Sequence, residues 1–125
     1  MKNISIYFII AGILFIFSVL SGFWLSKTGK PYHIAIETVH KLLSLAMVVF
    51  MVIAVVKWNK NPGFDTTNTI VALAIGLSFV SAIATGGILS HKDTVDTTIQ
   101  SIHKISTAAV FVLSIFLVYN FWKFR

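Results

Sequence analysis

Residues 4–25 read ISIYFIIAGILFIFSVLSGFWL, and no charged side chain occurs between Lys2 and Lys27. A cleaved signal peptide has an apolar core of only about 7–15 residues, whereas a helix that crosses the hydrocarbon of a bilayer needs about 20. The length of this run therefore predicts a retained membrane-spanning helix.

Three more apolar runs follow, at about residues 34–56, 69–89 and 97–122. A backbone in lipid must satisfy its own hydrogen bonds, so continuous runs of this length predict helices. Short polar connectors separate the runs, and short connectors favour antiparallel neighbours. The sequence predicts an all-α fold, a four-helix transmembrane up-down-up-down bundle built from two tandem helical hairpins.

The composition supports a membrane protein. Of the 125 residues, 57% are hydrophobic and 11% are charged, against about 25% charged residues in a typical soluble protein. So little charge cannot cover a water-exposed surface, and we expect one domain over residues 1–125 with the lipid bilayer as its main partner. The absence of cysteine excludes disulfides, thiolate metal sites and covalently attached haem.

The basic residues flank the apolar runs and form no single patch, so the net charge of +6 favours anionic lipid headgroups over nucleic acid as its partner. The more basic side of a membrane protein usually faces the cytoplasm. Two aspartates, Asp93 and Asp96, offset the lysines of the hairpin loops, so the opposite side has a slight excess of basic residues. The basic residues of that side are Lys2, Lys57, Lys60, Lys123 and Arg125. The sequence therefore predicts four spans with both termini in the cytoplasm.

The two halves of the chain resemble each other. A shift of 63 places residues 37–42 (ETVHKL) on residues 100–105 (QSIHKI), and a shift of 64 places Ser21-Gly22 on Thr85-Gly86. Matching polar residues and glycines inside apolar spans arise by chance less easily than matching leucines. The pattern indicates an internal duplication, with repeats at about residues 4–57 and 69–123.

His40 and His103 are the main polar interruption of their spans. Each lies about 9 Å from the start of its helix, and both helices begin on the same side of the membrane. Ionisable groups inside a span usually face the bundle interior. Two imidazoles in one layer form the axial ligand set of a six-coordinate haem iron, and a b-type haem needs no cysteine.

Glycines and lysines accompany the two histidines. Gly22 and the pair Gly86-Gly87 lie in about the same layer, where the lack of a side chain gives a flat porphyrin room to approach the backbone. Lys41 and Lys104 each follow a histidine and can extend toward the loop side to pair with the haem propionates.

The chain resembles the membrane b-type cytochromes in the order of its motifs. A glycine lies near the end of one span, a short loop follows, and His-Lys lies early in the next span. The residues that carry the resemblance are Gly22, His40, Lys41, Gly86, His103 and Lys104. It implies a bis-histidine haem bundle that passes electrons between quinols and redox partner proteins, alone or as the membrane anchor of an oxidoreductase. Many members hold two haems, but no histidine lies in the other membrane half of this chain. We therefore expect one non-covalent haem b near the hairpin-loop face.

Other interpretations stay open. His33, Glu37 and His40 share one helix face and could hold a divalent metal. The histidines could instead be polar helix–helix contacts in a cofactor-free structural or assembly subunit. Gly12 and Gly76 could pack within the bundle or between protomers of a homo-oligomer. The chain shows no nucleophile–base set and no phosphate loop, so we expect no hydrolytic activity.

Overall fold

The computed structural model describes residues 2–125, and this part of the chain forms four helices and no strand. The helices are α1 (Lys2–Thr28), α2 (Ile34–Trp58), α3 (Thr66–His91) and α4 (Thr97–Phe124). Each of the four predicted runs lies within one helix, which confirms the all-α, four-helix prediction. All four helices are long and apolar enough to cross a membrane.

Specific polar groups set the helix ends beyond the apolar runs. Gly29 ends α1, since its φ of 68° lies in the left-handed region that favours glycine, and its N–H donates to the Leu25 carbonyl at 3.0 Å. The helix α3 begins at Thr66, three residues before the apolar run. Asp65 caps this start, because its Oδ1 accepts the Asn68 N–H at 2.9 Å. Asp96 caps α4, and its hydrogen bond from Lys92, followed by that from the backbone, lowers the pKa of its carboxyl group.

The chain divides into two compact units, one up to Lys60 and one from Asn61 to Arg125. Each unit is an antiparallel hairpin: α1 packs on α2 in hairpin 1, and α3 packs on α4 in hairpin 2. The boundary falls in the connector between the two sequence repeats. Equivalent residues of the two hairpins can therefore be compared directly. The prediction of a single domain with an internal repeat stays a prediction.

The ends of the hairpins opposite their loops differ in chemistry. In hairpin 1, the fully buried Trp58 meets the edge of Phe8, with ring centroids 6.3 Å apart. In hairpin 2, the fully buried Asn68 accepts from Asn120 Nδ2 at 3.0 Å and donates to the Gly63 carbonyl at 3.3 Å. Buried amides need such partners, so this pair fixes the register of α3 and α4. What the hairpins share lies nearer their loops.

Candidate functional site

The imidazole of His40 lies against α1 inside hairpin 1. Its Nδ1 is 2.9 Å from the Ser18 carbonyl oxygen and 3.1 Å from Ser21 Oγ. A carbonyl oxygen can only accept, so Nδ1 carries the proton and donates it. Ser21 Oγ donates to the same carbonyl at 2.9 Å and therefore presents a lone pair to Nδ1. In the neutral ring, these partners assign the remaining lone pair to Nε2.

Hairpin 2 repeats this arrangement. His103 Nδ1 is 2.8 Å from the Ala82 carbonyl oxygen and 3.1 Å from Thr85 Oγ1. Thr85 Oγ1 donates to the Ser81 carbonyl at 2.7 Å, so it too offers a lone pair to the histidine. The two histidines therefore adopt the same tautomer, with Nδ1–H held by the preceding helix and the lone pair on Nε2.

Gly22 and Gly86 lie directly against the two histidine rings. A Cβ atom on Gly22 would stand 2.9 Å from His40 Cε1, and one on Gly86 would stand 3.1 Å from His103 Cε1. The sequence predicts that these glycines make room for a porphyrin, but here the imidazole of the same hairpin occupies that room. A Cβ atom on Gly87 would meet no described atom within 4 Å. The packing inside hairpin 2 therefore gives Gly87 no part in placing the ring, and its cofactor contact stays a prediction.

A second polar layer lies about one turn deeper in each hairpin. Ser18 Oγ is 2.6 Å from Ser44 Oγ, and Ser44 donates to the His40 carbonyl at 2.7 Å. In hairpin 2, Ser81 Oγ is 2.8 Å from Ser106 Oγ. Such hydroxyl pairs hold neighbouring helices in register. The sequence alone does not identify Ser18, Ser81 or Ser106 as part of the site, because a serine in an apolar run carries no signal about its partner.

The lysines that follow the histidines differ in their surroundings. Lys41 Nζ is 3.0 Å from Glu37 Oε1, one turn toward the loop, so its side chain extends in the direction that the sequence predicts. Gln100 occupies the equivalent position in hairpin 2, and Lys104 therefore has no carboxylate one turn earlier. The pairing of either lysine with a haem propionate stays a prediction.

The divalent-metal alternative finds no support in this geometry. Between residues 2 and 125, no group of three or more His, Cys, Asp or Glu side chains is placed to hold a metal ion. Glu37 pairs with Lys41, the Nδ1 of His40 bonds to α1, and the exposed His33 precedes the first residue of α2.

Comparison with models of protein families, with curated proteins and with solved structures found no match for this chain. The hydrogen bonds and close contacts within each hairpin define the chemistry of the site. Those contacts bring together His40 with Gly22 and Ser21, and His103 with Gly86 and Thr85.

Proposed function

We propose that this is an integral membrane electron-transfer protein that binds one b-type haem through His40 and His103. The observation that carries the proposal is the shared donation of Nδ1–H to a backbone carbonyl, at 2.9 Å and 2.8 Å. Histidines that bind metals typically donate their second N–H to a carbonyl or carboxylate, which fixes the tautomer and the ring orientation. Both hairpins select the tautomer that ligation through Nε2 requires.

The donor set fits a haem of the bis-histidine type. When bound, such a haem would supply one-electron redox chemistry, and His40 and His103 would hold its iron. The chain's own residues hold each Nε2 in place and keep each Nδ1–H bonded, which makes the imidazoles more basic ligands. Lys41 extends to the loop side of His40, where it pairs with Glu37 and where charged propionates would lie. We expect Lys104 to extend in the same direction.

The proposal includes a membrane topology and a class of partners. Four spans with cytoplasmic termini would put the histidines near the opposite surface, below the two hairpin loops. A quinone or a redox partner protein would then exchange electrons with the haem at that surface. Redox chemistry of this kind belongs to the cofactor, whereas the protein supplies orientation and electrostatics.

A cofactor-free structural subunit is the competing proposal. The same histidine bonds tie α2 to α1 and α4 to α3, and polar side chains commonly link helices in membranes. That role uses the Nδ1 bonds and requires no metal ligand at Nε2. A direct measurement of haem content separates the two proposals.

Protein purified in mild detergent from haem-replete cells is expected to be red. We expect a Soret band, a sharp α band on reduction, and one haem per chain by pyridine haemochrome assay. Spectra of low-spin, six-coordinate iron would fit two axial imidazoles. A colourless preparation that also takes up no added haemin would refute the proposal and favour the structural role.

Removing the hydroxyls beside Nδ1 should shift the reduction potential without releasing the haem. In the double variant Ser21→Ala/Thr85→Val, each Nδ1–H keeps its carbonyl partner but loses its hydroxyl partner. The imidazoles become less basic, so the potential should rise by on the order of 20–40 mV, since we expect the loss of the two hydrogen bonds to favour the reduced state by about 0.5–1 kcal/mol in total. Potentiometric titration measures the shift.

Ser78→Ala is the matched control for this variant. Its hydroxyl donates within α3, to the Ala74 carbonyl at 2.9 Å. The potential of this variant should stay at the wild-type value. If the double variant also leaves the potential unchanged, the hydroxyls have no influence on the ligands.

A further inference from the structure

The residues around the two histidines are duplicated, but their charges are not. In residues 37–42 (ETVHKL) a carboxylate stands four positions before the lysine, whereas residues 100–105 (QSIHKI) carry a neutral amide at that position. With neutral histidines, the segment around His40 therefore has no net charge, and the segment around His103 has one positive charge. A cofactor that binds both histidines would meet two different electrostatic surroundings.

In hairpin 1, Glu37 retains the ammonium group of Lys41. Glu37 Oε1 is 3.0 Å from Lys41 Nζ, and the carboxylate is the less exposed partner, with 20% of its side chain accessible against 54% for the lysine. Glu37 lies in the first turn of α2, where the helix N-terminus stabilises a negative charge. A glutamate four residues before a lysine is also the more favourable order for a helical ion pair. Because an added anion would meet the carboxylate together with the ammonium group, this pair attracts it only weakly.

Two further lysines lie at the loop end of hairpin 1. Lys27 Nζ, in the last turn of α1, is 5.3 Å from the ring centroid of Phe23, and Lys30 Nζ is 4.3 Å from that of Tyr32. Burial, followed by the negative charge of Glu37, raises the pKa of Tyr32, so its phenol adds no charge at neutral pH. Neither lysine is on the helix that carries the histidine, and Lys27 therefore serves as a control for general charge at this end.

In hairpin 2, the three aspartates between residues 61 and 125 have other places. Asp65 caps α3 at the end opposite the loop, Asp96 caps α4 and pairs with Lys92 at 3.0 Å, and Asp93 lies in the loop. Lys104 follows Asp96 by eight residues, or about 12 Å along the axis of α4. The exposed Lys104 therefore offers a net positive charge directly after the histidine.

We propose that the two hairpins hold the haem unequally: Lys104 binds a propionate, whereas Glu37 keeps Lys41 within hairpin 1. This inference rests on the proposed haem site, and it makes Glu37 a positioning residue that acts through Lys41. The two lysines thus have different functions, although the histidines beside them have the same one. Haem affinity should therefore depend on only one of two equivalent lysines.

The rate of haem loss from the full chain in detergent, measured by transfer to excess apomyoglobin, tests this proposal. Lys104→Gln should raise the rate about tenfold, because it removes a charge-assisted hydrogen bond. Gln100→Glu should do the same while keeping the lysine, because it gives Lys104 the partner that Lys41 has. Glu37→Gln/Lys41→Gln removes a neutral pair, and its rate should stay within about twofold of the wild type. Adding Glu37→Gln to Lys104→Gln should restore slow loss, because Lys41 no longer has the carboxylate that retains it.

Haemin dimethyl ester, which lacks the propionate charges, separates a propionate contact from a change in the fold. Lys104→Gln should release this ester at the wild-type rate, and Lys27→Gln should release haem at the wild-type rate. Wild-type haem loss from Lys104→Gln would overturn the proposal, as would faster loss of the ester from that variant or equally fast haem loss from Lys27→Gln. Failure of Glu37→Gln to restore slow loss would overturn the role of Glu37. A wild-type chain that takes up no haemin would refute the haem site itself and this inference with it.

Discussion

His40→Ala is expected to abolish the six-coordinate haem spectrum, and His103→Ala is expected to do the same. A b-type haem is held only by its axial ligands and by packing, so one imidazole cannot hold low-spin, six-coordinate iron. We expect haem content to fall by at least about tenfold, since even changes to residues behind a metal ligand cost about 10–100-fold in affinity. Absorption spectroscopy and pyridine haemochrome assay measure the loss, and circular dichroism checks that the helices persist.

His91→Ala is the control for these variants. His91 is exposed at the end of α3, and its Nδ1 bonds to the Gly87 carbonyl of the same helix at 2.8 Å. This variant should keep its full spectrum. Added imidazole should restore the six-coordinate spectrum of His40→Ala by replacing the missing ligand. If each single variant retains half of the haem, each hairpin binds haem independently, and the shared-ligand proposal is wrong.

Gly22→Ala is expected to reduce haem binding nearly as much as His40→Ala does, although it removes no ligand. The new Cβ atom would stand 2.9 Å from His40 Cε1, so the ring must move and its bond to the Ser18 carbonyl must stretch or break. Overpacking of this kind costs about 1–3 kcal/mol. We expect reduced haem content and lower resistance of the protein to unfolding by denaturing detergent. Gly86→Ala should be milder, because its Cβ atom would stand 3.1 Å from the His103 ring.

Gly12→Ala is the matched control, because it places the same methyl group in the same helix. A Cβ atom there would meet no described atom within 4 Å. The gain in helix propensity, up to about 1 kcal/mol, should leave hairpin 1 as stable as the wild type or more so. Equal damage from Gly12→Ala and Gly22→Ala would show that contact with the imidazole is not what requires glycine at position 22.

The helices could be predicted because an apolar run has few alternatives in lipid. Their ends were less predictable. Asp65 lengthens α3 at its start, and this depends on a hydrogen bond to Asn68 that composition does not reveal. The buried contact between Asn68 and Asn120 cannot be predicted from the sequence, for a related reason. A lone amide in a span must find a hydrogen-bond partner, but its sequence position does not identify that partner. Here the two asparagines are 52 positions apart.

The internal repeat is enough to select the residues of the candidate site, but it does not show all of their roles. His40, His103 and their glycines stood out because polar groups and glycines recur at equal depth. The sequence predicts that Gly22 accommodates a porphyrin, because it does not show that the His40 ring approaches this glycine. The carbonyl that holds each Nδ1–H could not be predicted, since every residue has a carbonyl and only the packing of the helices selects one.

The choice of a main-chain acceptor has an evolutionary consequence. No substitution can delete a carbonyl oxygen, and the two repeats illustrate this, since Ser18 stands where its counterpart is Ala82. The bond to the histidine therefore places no constraint on the side chain at that position, whereas the glycine beneath the ring is constrained by volume. Distant relatives should therefore be easier to detect by the interval between glycine and histidine, 18 residues in one hairpin and 17 in the other, than by overall identity.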